Sequence, residues 1–196
     1  MSTPRRVGLL GGTFDPPHLG HLVVAESARV DLGLDQVRLL VAGDPWMKRT
    51  VTSARHRVEM ATLATAEDAH LAVDARETRR EGSTFTVDTL RDLHAEDADT
   101  EWVFLLGGDA AARLGEWHQV TDALELARFV VVTRPGHELP ADAAFRAALE
   151  PLEVPRLEVS STDLRNRYAE GRATRYLVPE RVDWYVRRHR LYGATS

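Results

Sequence analysis

The chain has 196 residues, of which 43% are hydrophobic, and a formal net charge of -5 at pH 7. This size is sufficient for one substantial core, and the acidic balance argues against a dedicated nucleic-acid-binding protein, which usually carries a basic excess. The sequence contains no cysteine, which excludes disulfides, thiolate nucleophiles and cysteine-ligated zinc.

The apolar segments of the sequence are all short. The N-terminal residues lack the apolar segment of a signal peptide, and no run is long enough to cross a bilayer. We therefore expect a cytoplasmic protein with neither membrane nor nucleic-acid partners, folded as a single domain over residues 1–196. The sequence leaves the oligomeric state open, and a homo-oligomer is compatible with it.

Hydrophobic periodicity and turn residues predict strands that alternate with helices. Strands are predicted at residues 5–10, 36–41, 71–73, 101–106, 129–133 and 152–159. Helices are predicted at residues 18–32, 54–66, 86–95, 119–127, 142–150, 161–171 and 179–189, with a short helical piece before Trp117. Several strands are continuously apolar, which indicates burial on both faces, as in a parallel sheet. The pattern predicts an α/β fold, a doubly wound parallel sheet with helices on both faces.

A glycine-rich turn with two histidines follows the first predicted strand. Its sequence is Gly11-Gly12-Thr13-Phe14-Asp15-Pro16-Pro17-His18-Leu19-Gly20-His21. Glycines permit a tight turn and a close approach to a ligand, and free N–H groups at the start of the following helix attract anions. His18 and His21 are three residues apart and therefore share one face of that helix. We predict a phosphate site formed by Gly11, Gly12, Thr13, Phe14, His18 and His21.

Two other interpretations of this turn are open. It could be a plain tight turn that carries two surface histidines. It could also hold zinc at His18 and His21, for which Asp15 is the candidate third ligand. The turn is not a P-loop, because no lysine follows its second glycine, and it does not match the Gly-x-Gly-x-x-Gly dinucleotide fingerprint.

Polar residues follow the later strands as well, and ligands of doubly wound sheets bind at the carboxyl ends of strands. Asp109 suits ribose hydroxyls, with a helix N-cap as the alternative. Arg134 suits a phosphate or adenine, with a surface ion pair as the alternative. Ser161 and Thr162 begin a second helix and offer a second anion site, with Arg165 one turn further, although Ser161 could be an ordinary N-cap.

Two separated motifs resemble the paired signatures of the adenylyl- and cytidylyltransferases. The first turn contains the (His/Thr)-x-Gly-His pattern, and residues 159–165, Val-Ser-Ser-Thr-Asp-Leu-Arg, resemble Ile-Ser-Ser-Thr-x-x-Arg. Residues 55–60, 84–90, 107–109 and 134–136, with Trp117, extend the likeness to the bacterial nicotinate-nucleotide adenylyltransferases over essentially the full length. Two departures are Val159 in place of isoleucine, and Pro-Trp-Met-Lys at 45–48 where many members have a Pro-Pro-His-Lys-type loop. The resemblance implies a Rossmann-like fold.

The resemblance implies that the phosphate of nicotinate mononucleotide attacks the α-phosphorus of ATP and that pyrophosphate leaves. Because the nucleophile is already an anion, catalysis would consist of positioning and electrostatic stabilisation. His18, His21 and Arg165 are the implied catalytic residues, and His21 is our first candidate for the α-phosphate. Mg²⁺ is expected to arrive with ATP, held mainly by phosphates and water.

The acceptor side of the site follows from the same resemblance. Trp117 would stack on the nicotinate ring, backbone near Thr86 would read its carboxylate, and Lys48 would reach a phosphate. On the residues alone, Trp117 could belong to the core and Lys48 could be a solvated surface lysine.

Three alternatives to the acid acceptor remain open at this point. They are a nicotinamide mononucleotide acceptor, another superfamily reaction such as phosphopantetheine adenylylation or cytidylyl transfer, and a non-catalytic nucleotide-binding sensor.

Overall fold

The computed structural model describes residues 4–43, 50–133, 144–155 and 157–195. Six strands in this part of the chain form one parallel sheet in the order β3-β2-β1-β4-β5-β6. They are β1 (Arg6–Gly12), β2 (Gln36–Val41), β3 (Leu71–Asp74), β4 (Glu101–Gly107), β5 (Arg128–Thr133) and β6 (Leu149–Glu153). The parallel sheet confirms the predicted fold class.

Seven α-helices connect and cover these strands within the described residues. They are α1 (Leu19–Asp31), α2 (Ala54–Thr65), α3 (Thr86–Glu96), α4 (Gly108–Ala111), α5 (Val120–Leu126), α6 (Ser161–Ala169) and α7 (Glu180–Arg188). Short 3₁₀ turns occupy Arg76–Arg79, Leu114–Glu116, Arg146–Ala148 and Leu191–Gly193. None of the helices in the described ranges is long and apolar enough to cross a membrane.

The core has one layer on each face of the sheet. Helices α3 and α5 bury their apolar side chains with Phe104 and Phe129 on one face. Helix α1 buries Ala25 and Ala28 with Val103 and Leu105 on the other. Neighbouring residues of β4 thus enter opposite layers, which is why this strand is continuously apolar. A third cluster joins α2, α6, α7 and the last turn of the chain.

Most predicted elements agree with the structure to within two residues, but the segment around β6 does not. Residues 149–150 belong to a strand rather than to the predicted helix 142–150, of which residues 142–143 lie outside the described residues. The strand predicted at 152–159 ends at Glu153. The alanine-rich stretch before it favours a helix, but pairing with β5 overrides this local propensity. Because β6 pairs only with β5 in the described sheet, it tolerates Pro151.

Candidate active site

The candidate site lies where β1 and β4 end side by side. The helix that follows β1 packs on one face of the sheet, and the helices that follow β4 pack on the other. The chain therefore diverges at this point and leaves a crevice beyond the strand ends, the usual ligand position in such sheets.

The prediction that Gly11 and Gly12 form the tight turn is wrong, because both residues still belong to β1 and pair with β2. Neither glycine has a positive φ; the residue with left-handed backbone is Phe14, at φ 50°. Its ring is 1% exposed, and a Cβ on Gly12 would lie 2.9 Å from the ring's Cζ. Gly12 is therefore required for close packing, and the Phe14 side chain belongs to the core.

His18 and His21 lie together at the start of α1, as predicted. Their rings stack with centroids 3.7 Å apart, and Nδ1 of His21 accepts a hydrogen bond from the backbone N–H of His18 at 3.1 Å. Accepting at Nδ1 places the proton of a neutral His21 on Nε2. Burial lowers the pKa of His18 to about 4, so its ring is neutral at pH 7. Nδ1 of His18 is buried and has no hydrogen-bond partner among the described residues.

Asp15 is a structural centre of the turn and not a zinc ligand. Its carboxylate is 1% exposed and accepts hydrogen bonds from the N–H of Val51 at 2.6 Å and from the hydroxyl of Thr52 at 2.6 Å. The hydroxyl of Tyr192 donates to the same carboxylate at 2.7 Å. In the described ranges, no group of three or more His, Cys, Asp or Glu side chains could hold a metal ion. The hydrogen bonds to both carboxylate oxygens leave Asp15 poorly suited to serve as the third zinc ligand.

Arg57 also binds the phosphate turn, a role that was not predicted from the sequence. Its guanidinium donates to the carbonyl oxygens of Thr13 at 3.1 Å, Ala42 at 2.6 Å and Gly43 at 2.9 Å. The side chain is 1% exposed, and burial lowers its pKa from the usual arginine value. An arginine in a polar helix normally lies in solvent, so the sequence around Arg57 gives no signal of this role.

The second signature is docked directly onto the first. The Ser161 hydroxyl donates to the carbonyl oxygen of Pro16 at 2.8 Å, and the Arg165 guanidinium donates to that of Asp15 at 2.9 Å and to the Thr162 hydroxyl at 3.1 Å. The helix N-cap is Ser160, whose hydroxyl accepts from the N–H of residue 163, so the N-cap interpretation of Ser161 is wrong.

Two clefts open at this edge of the sheet. The first, which we call the aromatic cleft, is lined by Gly12, Thr86, Phe104, Trp117 and His118, among others. The second, which we call the glycine cleft, is lined by Gly20, Gly108, Asp109, Thr133 and Leu157, among others. Gly107 at the end of β4 lines both clefts. The predicted site residues of β1, α3 and α4 are therefore gathered around one point.

Trp117 forms a wall of the aromatic cleft. Its ring meets Phe104 edge-on with centroids 5.9 Å apart, and its buried Nε1 has no hydrogen-bond partner in the described part of the chain. Thr86, which also lines the cleft, is the first residue of α3, and Phe85 is the N-cap of that helix. Because Phe85 has no polar side-chain atom, it cannot cap the first N–H groups of that helix.

Two further polar residues, Glu77 and His118, line the aromatic cleft and were not predicted from the sequence. The ring of His118 lies 4.5 Å from that of Phe85. Glu77 is buried, accepts a hydrogen bond from the Thr89 hydroxyl at 2.8 Å, and has a pKa raised by burial. A histidine after Trp117 and a glutamate in a charged run resemble solvent-exposed residues in the sequence, so neither carried a signal.

In the glycine cleft, Asp109 lies in the first turn of α4 and is exposed. The N-cap of this helix is Gly107, so the N-cap interpretation of Asp109 is wrong. The predicted contacts of Lys48 and Arg134 fall outside the described residues.

Comparison with known proteins identifies the family of the chain. Residues 9–167 match the family model of cytidylyltransferase-like proteins. The chain is 44% identical to a probable nicotinate-nucleotide adenylyltransferase of Clavibacter sepedonicus, over 97% of this chain and 96% of that protein. The identity to a probable nicotinate-nucleotide adenylyltransferase of Leifsonia xyli is also 44%, over 97% and 96% of the two chains. The chain belongs to the nicotinate-nucleotide adenylyltransferase family.

Solved structures confirm the fold of this adenylyltransferase. The nicotinic acid mononucleotide adenylyltransferase of Plasmodium falciparum, complexed with NaAD, has a TM-score of 0.78 at 17% identity, over 97% of this chain and 98% of that one. A putative nicotinate-nucleotide adenylyltransferase from Vibrio parahaemolyticus has a TM-score of 0.72 at 18% identity and covers 97% of both chains.

Proposed function

We propose that this chain transfers the adenylyl group of ATP to the phosphate of nicotinate mononucleotide and releases pyrophosphate. The observation that carries this proposal is the pair of clefts that share Gly107, with the phosphate turn at the end of the neighbouring strand. One cleft offers aromatic walls and a helix start, and the other offers glycine backbone and a carboxylate. A dinucleotide product has matching halves: a pyridine ring with a carboxylate, and an adenosine.

The aromatic cleft suits the nicotinate half of the product. A positively charged pyridinium ring is attracted to an aromatic face such as that of Trp117. The uncapped start of α3 at Thr86 suits a carboxylate, because helix N-termini attract anions. Together these features favour the acid over the amide, whose neutral carboxamide gains less from the helix start.

The phosphate chemistry follows from the histidine pair. An oxygen of the nicotinate mononucleotide phosphate forms a bond to the α-phosphorus, and the bond from that phosphorus to the leaving pyrophosphate breaks. The Nε2–H of His21 would donate a hydrogen bond to the α-phosphate as charge develops there. Neutral His18 would support the ring of His21 by stacking, and would not add positive charge.

Mg²⁺ belongs to this proposal as the ion that accompanies ATP. The Asp15 carboxylate is fully engaged by hydrogen bonds, and Asp109 is an exposed carboxylate in the glycine cleft. This donor set fits an ion that is held mainly by the triphosphate and water, near Asp109. The ion would neutralise phosphate charge when bound.

The test is pyrophosphate release from ATP and Mg²⁺, with nicotinate mononucleotide and nicotinamide mononucleotide compared side by side. We expect turnover with the acid, much weaker turnover with the amide, and loss of both in His21→Ala. His70→Ala, at an exposed histidine, is the matched control and should retain wild-type turnover. Preference for the amide would overturn the proposed carboxylate site. If ATP binds but neither compound causes pyrophosphate release, phosphopantetheine is the next acceptor to test. If that acceptor also fails, the result would favour a non-catalytic nucleotide-binding sensor.

A further inference from the structure

The last turn of the chain lies against the phosphate turn of the first signature. The hydroxyl of Tyr192 donates a hydrogen bond to Oδ1 of Asp15 at 2.7 Å, across 177 positions of sequence. Tyr192 has left-handed backbone, with φ 57° and ψ 23°. Such a conformation is unfavourable for a residue other than glycine and persists only where the surroundings hold it. Burial raises the pKa of Tyr192, so its hydroxyl keeps its proton and remains a donor.

Asp15 depends on donors of this kind. Its carboxylate is 1% exposed, and a buried carboxylate needs hydrogen bonds to replace its lost hydration. Oδ2 accepts from the N–H groups of Val51 and Thr52, while Oδ1 accepts from the hydroxyls of Thr52 and Tyr192. Loss of the tyrosine hydroxyl would leave Oδ1 with the Thr52 hydroxyl alone among the described donors.

The backbone at Asp15 also carries the second signature. Its carbonyl oxygen accepts from Arg165, and the next carbonyl oxygen, of Pro16, accepts from Ser161. His18, two residues after Pro16, is the N-cap of α1. A change in the orientation of Asp15 would therefore shift both signatures relative to each other.

We propose that Tyr192 is a positioning residue for adenylyl transfer, which acts through Asp15 on the two phosphate-binding signatures. This inference rests on the proposed function. The hydroxyl does not touch the reacting atoms; it fixes the carboxylate, and the carboxylate fixes the turn from which His18 and His21 project. Small displacements of such a turn are sufficient to change the rate of a reaction that depends on positioning.

The chain offers a matched control in Tyr168. It is 2% exposed, belongs to the same apolar cluster, and stacks on Tyr192 with ring centroids 6.0 Å apart. Its hydroxyl donates to Oδ1 of Asp183 at 2.9 Å, so it makes the same kind of tyrosine–aspartate hydrogen bond. Asp183 also accepts hydrogen bonds from Thr174 and Arg187, neither of which belongs to the phosphate turn.

The experiment compares Tyr192→Phe with Tyr168→Phe in the full chain, by thermal unfolding and by steady-state kinetics for each substrate. We expect both variants to lose stability to a similar extent. Only Tyr192→Phe should reduce kcat, by about 10-fold to 100-fold, or raise the KM for ATP, while the KM for the acceptor stays unchanged. Equal kinetics in the two variants would overturn the proposal.

Coupling to Asp15 is tested by a double-mutant cycle with Asp15→Asn. If Tyr192 acts through Asp15, the double variant should be no slower than Asp15→Asn alone, whereas multiplied losses would contradict the proposal. Should Tyr192→Phe not fold, Thr52→Val removes the other hydroxyl donor to the same oxygen and should lower kcat in the same way; unchanged kinetics in that variant would overturn the proposal.

Failure of the proposed function is recognised separately, in the wild-type chain. If nicotinate mononucleotide is not its acceptor, the same comparison is made with the acceptor that turns over. If no acceptor turns over, the Kd for ATP is the readout. Weaker ATP binding in Tyr192→Phe than in Tyr168→Phe would support the positioning role, and equal binding would overturn it.

Discussion

The backbone N–H of His18 donates a hydrogen bond to Nδ1 of His21, so the first residue of the pair determines which nitrogen of the second carries a proton. His21→Ala removes the Nε2–H donor that this arrangement leaves on the ring. We expect kcat to fall by about 100-fold or more, because a preorganised donor to a developing charge typically contributes that much. Steady-state pyrophosphate release measures the effect, and a rate within a few-fold of wild type would contradict the role of His21.

The buried ring of His18 should make stability depend on pH. Its pKa of about 4 lies below the ordinary histidine value, so the unfolded chain binds more protons than the folded chain between pH 4 and about 6.5. The free energy of unfolding is therefore not reduced by His18 above pH 6.5, and it falls by about 3 kcal/mol as the pH drops to 4. Urea unfolding from pH 7 to pH 4 should show a shallower decline in His18→Gln than in wild type. Parallel curves would contradict the prediction.

The close contact between Gly12 and Phe14 predicts a compensating pair of substitutions. Gly12→Ala places a methyl group 2.9 Å from Cζ of a ring that cannot move freely, and should destabilise the chain by about 1–3 kcal/mol. Phe14→Leu removes that atom and leaves a small cavity. We expect the double variant to be more stable than the sum of the single losses implies. Urea unfolding of the wild type, the two single variants and the double variant tests this. Strictly additive losses in the free energy of unfolding would show that the added methyl group does not clash with the Phe14 ring.

Arg57 should be essential for stability although it lies in a polar helix. Arg57→Met leaves three backbone carbonyl oxygens without their donor, which should destabilise the fold by at least about 3 kcal/mol. The matched control is Arg55→Met, at an exposed position of the same helix, where we expect a change within about 0.5 kcal/mol. Chemical denaturation of both variants measures these losses, and equal losses would contradict the stabilising role of the three Arg57 hydrogen bonds.

Trp117 should affect the acceptor and not the nucleotide. Trp117→Ala removes the aromatic wall of its cleft and should raise the KM for nicotinate mononucleotide by about 10-fold, with little change in the KM for ATP. Trp184→Ala, at a tryptophan that is 58% exposed on α7, should change neither value. An equal rise in both KM values for Trp117→Ala would indicate a general structural role instead.

The sequence was sufficient for the parts of the site that depend on local spacing. The three-residue interval of His18 and His21 predicted a shared helix face, and their rings stack there. Continuous apolar runs predicted a parallel sheet, because burial on both faces leaves a direct mark on composition. Trp117 lines the aromatic cleft, and its contact with the acceptor, which the family resemblance implies, stays a prediction.

Local spacing could not predict contacts between distant segments. Arg57 and Tyr192 reach the phosphate turn only through the packing of α2 and of the last turn, and nothing near them in sequence differs from a solvated helix or a chain end. The prediction for the β6 segment was wrong for a related reason. Its helical propensity is local, whereas the pairing with β5 that determines its conformation is not.

The hydrogen bond between Asp15 and Tyr192 has a consequence for how the chain folds during translation. The phosphate turn leaves the ribosome well before its partners, because Tyr192 lies 177 positions after Asp15, Ser161 lies 145 after Pro16 and Arg165 lies 150 after Asp15. Domains fold as their residues become available during synthesis, N-terminal parts first. The nascent chain can therefore build the first strand and helix early, yet the turn acquires its full set of hydrogen bonds only after Tyr192 has been synthesised. Fragments released prematurely would expose this turn without the partners that give it a defined shape.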